Sequence, residues 1–144
     1  MDIDLAVPVK YLGEAVRKVE SGSAIVLGSR YRSGSRAQRS NYRLLESVGF
    51  NYLIKLLLGS KINDHQCGFK FWDAKYIKSA IKKVKDNYWF FDAEILVRAQ
   101  KGGIVSYEMP VEWSEGKKTK VKPGDTFYFF KAILKLRSQL GSES

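Results

Sequence analysis

Polar and apolar positions fall into blocks of two different periods along the chain. Residues 12–20 read as a short helix, and Ala24-Ile25-Val26-Leu27 is an unbroken apolar, largely β-branched run ending at Gly28, the mark of a buried strand. A polar loop carrying Arg30, Arg32, Arg36 and Arg39 follows. The period then becomes helical over 38–58 and stops at Gly59-Ser60, where a glycine suits a helix C-cap. Phe69-Lys70-Phe71-Trp72 alternates like a strand, 74–84 reads as a helix with lysines on its wet side, and 91–101 as a helix closed by Gly102-Gly103. A strand is expected over 104–113, and Pro110 within it argues for an edge or irregular position, because proline cannot donate to a ladder. Residues 114–124 form a lysine-rich loop, and Asp125 can cap a last helix reaching Leu140. Strands and helices mixed in this order indicate an α/β or α+β fold.

Composition narrows the class. The 144 residues are 44% hydrophobic and 28% charged, enough for one packed domain and unlike a disordered chain. The 25 Lys plus Arg against 15 Asp plus Glu leave a net charge of +10, a field attractive to phosphate, nucleic acid or anionic lipid. Met1-Asp2-Ile3-Asp4 does not open a signal peptide, and the apolar stretch 53–58, interrupted by Lys55, is too short to span a bilayer. One cysteine, Cys67, permits neither an internal disulfide nor a cysteine zinc cluster, so a reducing, cytoplasmic setting is the default.

Several groups could carry chemistry. Asp2 and Asp4 would share one face of an extended segment, where they could hold a hard divalent cation or stand as two solvated carboxylates. Ser29 and Arg30, leaving the buried strand, can offer backbone N–H groups and a planar guanidinium to an anion, or form an ordinary strand exit. Arg43, Ser47, Asn51 and Lys55 repeat every four residues on an otherwise apolar helix. A solvated stripe normally carries more Glu and Lys, so these short side chains suggest a face packed on something polar. Asp64-His65-Gln66-Cys67-Gly68 gathers polar groups before a strand; Cys67 reads better as a buried turn residue than as a nucleophile, because no third group orients a Cys-His pair. Asp92 serves equally as a helix cap or as a site carboxylate beside Glu94, and 115–120 as a basic flap or a solvated run.

Taken in order, Met-Asp-Ile-Asp-Leu-Ala, Val-Leu-Gly-Ser-Arg-Tyr, Arg43-x-x-x-Ser47-x-x-x-Asn51, Asp64-x-Gln66-Cys67-Gly68-Phe69-Lys70, Phe91-Asp92-x-Glu94 and Trp113-x-Glu115-x-x-x-Thr119-Lys120 resemble the family 2 glycosyltransferases that make dolichyl- or polyprenyl-phosphate mannose and glucose. The resemblance covers nearly the whole chain. It implies a GT-A fold, a mixed sheet with flanking helices, and inverting transfer of a hexose from a nucleotide-sugar to a lipid phosphate. It also implies that Asp2 and Asp4 bind Mg²⁺ or Mn²⁺ with the donor diphosphate, and that Arg30 and Arg43, with Ser29, grip the acceptor phosphate. By the same likeness, Asp64, Gln66 and Lys70 line the sugar pocket. Asp92 and Glu94 are the acceptor-side carboxylates, and Lys120, after Thr119 where the family often has serine, is a flap lysine near the diphosphate.

In that family the Asp-x-Asp closes a first, nucleotide-binding half. The chain is therefore expected to be the C-terminal portion of such an enzyme, lacking that half or receiving it from a separate subunit. Residues 1–123 would be the acceptor-side part. Residues 124–144 would form an amphipathic helix, with Phe127, Phe129, Phe130, Ile133, Leu136 and Leu140 on a broad apolar arc, lying either in a membrane interface or on the core. A peripheral place on the cytoplasmic face of a membrane follows. Two alternatives remain: a non-catalytic phosphate- or lipid-binding remnant, and a nucleic-acid-binding domain. The second is disfavoured because the basic residues fall into two loops and two helix stripes rather than one face interleaved with aromatics.

Overall fold

The computed structural model describes residues 5–114 and 125–142. Asp2, Asp4 and Lys120 lie outside them, as does the basic 115–120 run.

The fold is built around β1 (Ile25–Ser29), all five of whose residues are buried. Its side chains alternate between two apolar layers. Val26 joins Cys67, Phe69, Met109 and Val111 beneath α1 (Leu12–Glu20), and Ile25 and Leu27 pack with Ile62, Ile95, Leu96 and Ala99 on the other face. Burial on both faces explains why the strand reads as a continuous hydrophobic run. β1 is the centre of a mixed three-stranded sheet, antiparallel to β3 (Lys70–Trp72) and parallel to β4 (Ser106–Pro110). Leu27 lies opposite Lys70, and Ser29 opposite Pro110, so the end of β1, the start of β3 and the end of β4 meet at one edge.

The expected strand over 104–113 is divided. β4 stops at Pro110, and β5 (Glu112–Ser114) leaves the sheet to pair in parallel with β2 (Arg36–Gln38), in the segment expected to be loop. Val111 forms the corner: it is fully buried, and its carbonyl accepts from the Arg36 N–H at 3.1 Å. Pro110 stands on an edge strand of this sheet, where its missing N–H costs nothing.

α2 (Asn41–Leu58) follows Ser40, three residues later than the polar pattern suggests, and ends at Gly59 with φ +66°, a left-handed cap that a side chain would strain. α3 (Ala74–Ala80) is capped by Asp73, whose side chain accepts from the Lys75 N–H, and tightens into a 3-10 turn over Ile81–Lys83. α4 (Phe91–Lys101) is buried over most of its length because it is sandwiched: Ile95, Leu96 and Ala99 meet the sheet, whereas Ala93 and Val97 meet α2 and α5 (Asp125–Ser142). That second layer contains Phe50, Ile54 and Leu58 of α2 and Phe129, Ile133 and Leu136 of α5, with Phe50 and Phe129 in edge contact at 4.9 Å. The apolar arc of α5 is therefore split: half of it packs on the core, while Phe127, Phe130 and Leu134 face outward. α2 shows the same division, with Leu45, Val48, Tyr52 and Leu56 exposed along its outer side.

Candidate functional site

At the carboxyl end of β1 the backbone passes through a gap at Gly28 that a side chain could enter only by displacing its neighbours. A Cβ there would sit 3.1 Å from the Phe69 Cβ, 3.2 Å from Val111 and 3.3 Å from the Cys67 sulfur. This close passage brings Ser29 and Arg30 against the 60–67 segment. Asp64, fully buried, is the hub: Oδ2 accepts from the Arg30 backbone N–H at 3.0 Å and from its Nε at 2.7 Å. Oδ1 accepts from Arg30 Nη2 at 2.7 Å and from the backbone N–H of Cys67 at 3.1 Å. Burial alone would raise the Asp64 carboxyl, but the hydrogen bonds and charge of Arg30 outweigh it and hold the group below the usual carboxylate range. The guanidinium also stacks 5.2 Å from the Trp113 ring centre on β5, which ties the corner strand to the site.

The four-residue stripe of α2 faces this region. Ser47 Oγ accepts from the Tyr31 hydroxyl and from Arg39 Nη1, both at 2.8 Å, and Lys55 Nζ donates to Asn63 Oδ1 at 2.6 Å. Asn51 Oδ1 accepts from the His65 backbone N–H at 2.9 Å and from its Nδ1 at 2.7 Å, which leaves Nε2 to accept from the Ser60 hydroxyl at 2.8 Å. Burial drives the His65 pKa down to about 3, so the ring is a neutral strut between α2 and the Asp64 loop. From the sheet side, the Glu108 carboxylate accepts from Asn63 N and Nδ2 at 2.8 and 2.7 Å and fixes the same loop. Cys67 is buried and its thiol is pushed up to about 11, chiefly by burial, which makes it inert at neutral pH.

A second pair stands beside this hub. Lys70 Nζ, on a side chain only 8% exposed, donates to Asp92 Oδ2 at 3.0 Å, and Asp92 is 51% exposed on the first turn of α4. The Lys70 charge also bears on Asp64. A helix N-terminus, three strand ends and several cations thus converge outside the carboxyl end of β1, where open α/β sheets commonly bind ligands.

No family model matches the chain. Sequence comparison finds it similar to glycosyltransferase AglD of Haloferax volcanii, 40% identical over 121 residues that cover 83% of this chain and 19% of that protein. It is also 37% identical over 102 residues to a dolichyl-phosphate β-glucosyltransferase, ALG5A, of Trichomonas vaginalis, covering 71% of this chain and 31% of that one. The human dolichyl-phosphate β-glucosyltransferase is 36% identical, with 69% and 32% covered. The chain belongs to the family 2 glycosyltransferases. It spans between a fifth and a third of the length of these three relatives.

Within this glycosyltransferase chain, the residues singled out from sequence divide into three groups. Ser29, Arg30, Asp64, Gln66, Lys70 and Asp92 gather at the carboxyl end of β1, with Arg43 one helical turn before Ser47 on the inward stripe of α2. Arg30 differs from expectation in one respect, because two of its five N–H donors already hold Asp64, so it organises the site before it meets any ligand. Glu94 is turned away from the cluster. Its carboxylate, 3% exposed as a residue, accepts from the backbone N–H groups of Lys85 and Asp86 and from Arg98 Nε at 2.7 Å, so it closes the loop before α4. Asp92 is no cap either: Phe90 holds that position and Asp92 faces Lys70. The third group, Asp2, Asp4 and Lys120, lies outside the described residues, and among those described no cluster of three acidic, histidine or cysteine side chains could hold a metal. Arg39 and Glu108 belong to the site and were not given a role there; Arg39 was visible only as one of four loop arginines, and Glu108 reaches the site from β4. Trp113 was visible as the head of the last motif, but its stacking on Arg30 depends on the turn after Pro110, which the proline signalled only as an edge or irregular position.

Proposed function

We propose that the chain is the acceptor-facing part of a GT-A glycosyltransferase that moves a hexose from a nucleotide-sugar to dolichyl or polyprenyl phosphate with inversion. Glucose is favoured over mannose because the dolichyl-phosphate relatives are named β-glucosyltransferases. The observation that carries the reading is a cationic strand end set against a helix with an apolar outer face: Arg30 leaves β1 beside Asp64, Arg39 bonds Ser47 of α2 and Arg43 lies one turn earlier on that helix, whose opposite side exposes Leu45, Tyr52 and Leu56. A lipid phosphate needs both.

The acceptor phosphate is anionic near neutral pH and scarcely needs a base, so catalysis rests on holding it in line with the anomeric carbon. Arg43, with the remaining donors of Arg30, grips the phosphate. Asp92, half exposed and steadied by Lys70, orients the sugar or the acceptor. Asp2 and Asp4 would hold Mg²⁺ or Mn²⁺, which when bound offsets charge on the donor diphosphate; Lys120 would add a positive charge there. None of these residues is assigned to the base or ribose of the donor, and the chain matches only a fifth to a third of each relative. No helix among the described residues is long and apolar enough to cross a membrane, and the outward stripes of α2 and α5 support peripheral attachment to a membrane surface.

The test uses neutral vesicles doped with dolichyl phosphate or, as reference, dolichol. Binding of the chain to the first should exceed binding to the second about tenfold and fall to the reference level in Arg43→Ala, because a charge-assisted phosphate contact contributes ~1.5–3 kcal/mol. Equal binding to both vesicles would sink the acceptor assignment. If the acceptor is bound but no labelled glycolipid forms from a nucleotide-glucose or a nucleotide-mannose with Mg²⁺ or Mn²⁺, and the same holds when the unmatched portion of a dolichyl-phosphate relative is supplied, the chain is a non-catalytic binder instead.

A further inference from the structure

A second cationic cleft lies at the far end of α4 from Asp92. The last turns of α2, α4 and α5 converge there around a cavity of about 590 Å³, lined by Lys83, Arg98, Lys101 and Arg137 over a floor that includes Leu57 and Leu140. Among the described residues no acidic side chain lines it. Arg98 is neutralised by Glu94 and donates to Gln139 Oε1 at 2.7 Å, but Lys83, Lys101 and Arg137 have no ion-pair or hydrogen-bond partner among the described residues.

Helix dipoles explain part of this charge and not the rest. Each helix C-terminus carries about −0.5 of an elementary charge, so three ends supply about −1.5 against three uncompensated cations. Some of those carbonyls are already satisfied: Lys55 O accepts from Gly59 N–H, Arg98 O from Gly102 N–H and Gly59 O from Gln100 Nε2. The cleft therefore retains a surplus of about one to two positive charges, the complement of a phosphate group. Its leucine floor continues onto the outer side of α2 at Leu56, which is 64% exposed, so an apolar tail can leave the cleft along protein surface.

We propose that this cleft binds a phosphate-bearing anion, separately from the acceptor site at the end of β1. Lys83, Lys101 and Arg137 supply the charge, and the leucine floor favours a phosphate carried on an amphiphile such as an anionic phospholipid over free phosphate.

The experiment compares the chain with the triple variant Lys83→Gln, Lys101→Gln, Arg137→Gln and with a control of the same charge, Arg17→Gln, Lys75→Gln, Lys78→Gln, all six residues being exposed and outside the core. Vesicles of phosphatidylcholine with phosphatidic acid report the lipid source, and inorganic phosphate or pyrophosphate, followed by the NMR shifts of the Gly59 and Gly102 amides, reports the free-anion source. A phospholipid ligand predicts about a hundredfold weaker binding to phosphatidic-acid vesicles in the cleft triple, near 1 kcal/mol per cation, with little change in the control. A free-anion ligand predicts glycine shifts that saturate with phosphate and vanish in the cleft triple. Equal losses in both triples would reduce the effect to net charge and overturn the site, as would a cleft triple that behaves like the parent chain. Dolichyl-phosphate selectivity over dolichol, measured on the same variants, keeps this outcome distinct from failure of the acceptor site, because the cleft triple should retain it.

Discussion

Asp64 gathers more of the site than any other side chain, and its removal should be correspondingly costly. Asp64→Asn keeps the shape but leaves the Arg30 guanidinium buried without a counter-charge, a change that typically destabilises by ~3–5 kcal/mol. Urea unfolding of the variant is expected to show that loss, and a shift under 1 kcal/mol would mean that the pair is solvated and not a hub. His65 makes a separate prediction. It is the one histidine in the chain, its folded pKa is about 3 and the unfolded value is near 6.5, so below pH 6.5 the unfolded state takes up a proton that the folded state refuses. Stability should be level from about pH 7 to pH 8, below the range where the unfolded Cys67 thiol ionises, and fall by about 2 kcal/mol by pH 5. Asp64 adds to the decline only below the ordinary aspartate range, since its folded pKa is lowered. A His65→Gln variant should lose the slope between pH 6.5 and 5 whatever its absolute stability. At this scale the sequence was half legible: the short polar residues of the α2 stripe announced a polar neighbour, but the Arg30–Asp64 pair joins residues 34 apart and has no local signature.

Among the elements, those buried by a strong period were readable and those held by backbone pairing alone were not. β1, α1 and α4 declare themselves through apolar runs or helical repeats. β2 carries Arg36, Ala37 and Gln38, with no apolar alternation, and exists because β5 pairs with it. The β4–β5 corner was only half announced: Pro110 pointed to an irregular position, but Val111 is as apolar as the strand before it and nothing marks the change of partner. Gly28 fixes how these pieces meet. Gly28→Ala would press a methyl group against Phe69, Val111 and Cys67, and an overpacked site of this kind costs ~1–3 kcal/mol. Thermal unfolding should register the loss, and a Cys67→Ala change in the same chain should recover part of it by removing the sulfur 3.3 Å away. Unchanged stability in Gly28→Ala would show that the strand can shift without strain.

For the whole molecule, the division of α2 and α5 into a buried and an exposed apolar side is the property a peripheral membrane protein needs. Leu45 and Leu56 are 73% and 64% exposed, so Leu45→Glu with Leu56→Glu should leave the melting temperature nearly unchanged yet abolish flotation with vesicles that contain anionic lipid. Retained flotation would place the attachment elsewhere. The broad apolar arc of α5 was legible in the sequence, but its split between core and surface was not, because Phe129 and Phe130 differ only in which side of the helix meets Phe50.

The parallel pairing of β1 with β4 also sets an order of events during synthesis. β1 leaves the ribosome with five residues that all require burial, yet its parallel partner emerges only after α2, α3 and α4 have been made. The short β3 can cover one edge in the meantime, leaving the other open. Long-range parallel contacts form late and slowly, so the nascent chain carries an unpaired hydrophobic edge until β4 has been made. Pausing before residue 106, or loss of a holding chaperone, should therefore harm the yield of this protein more than its final stability.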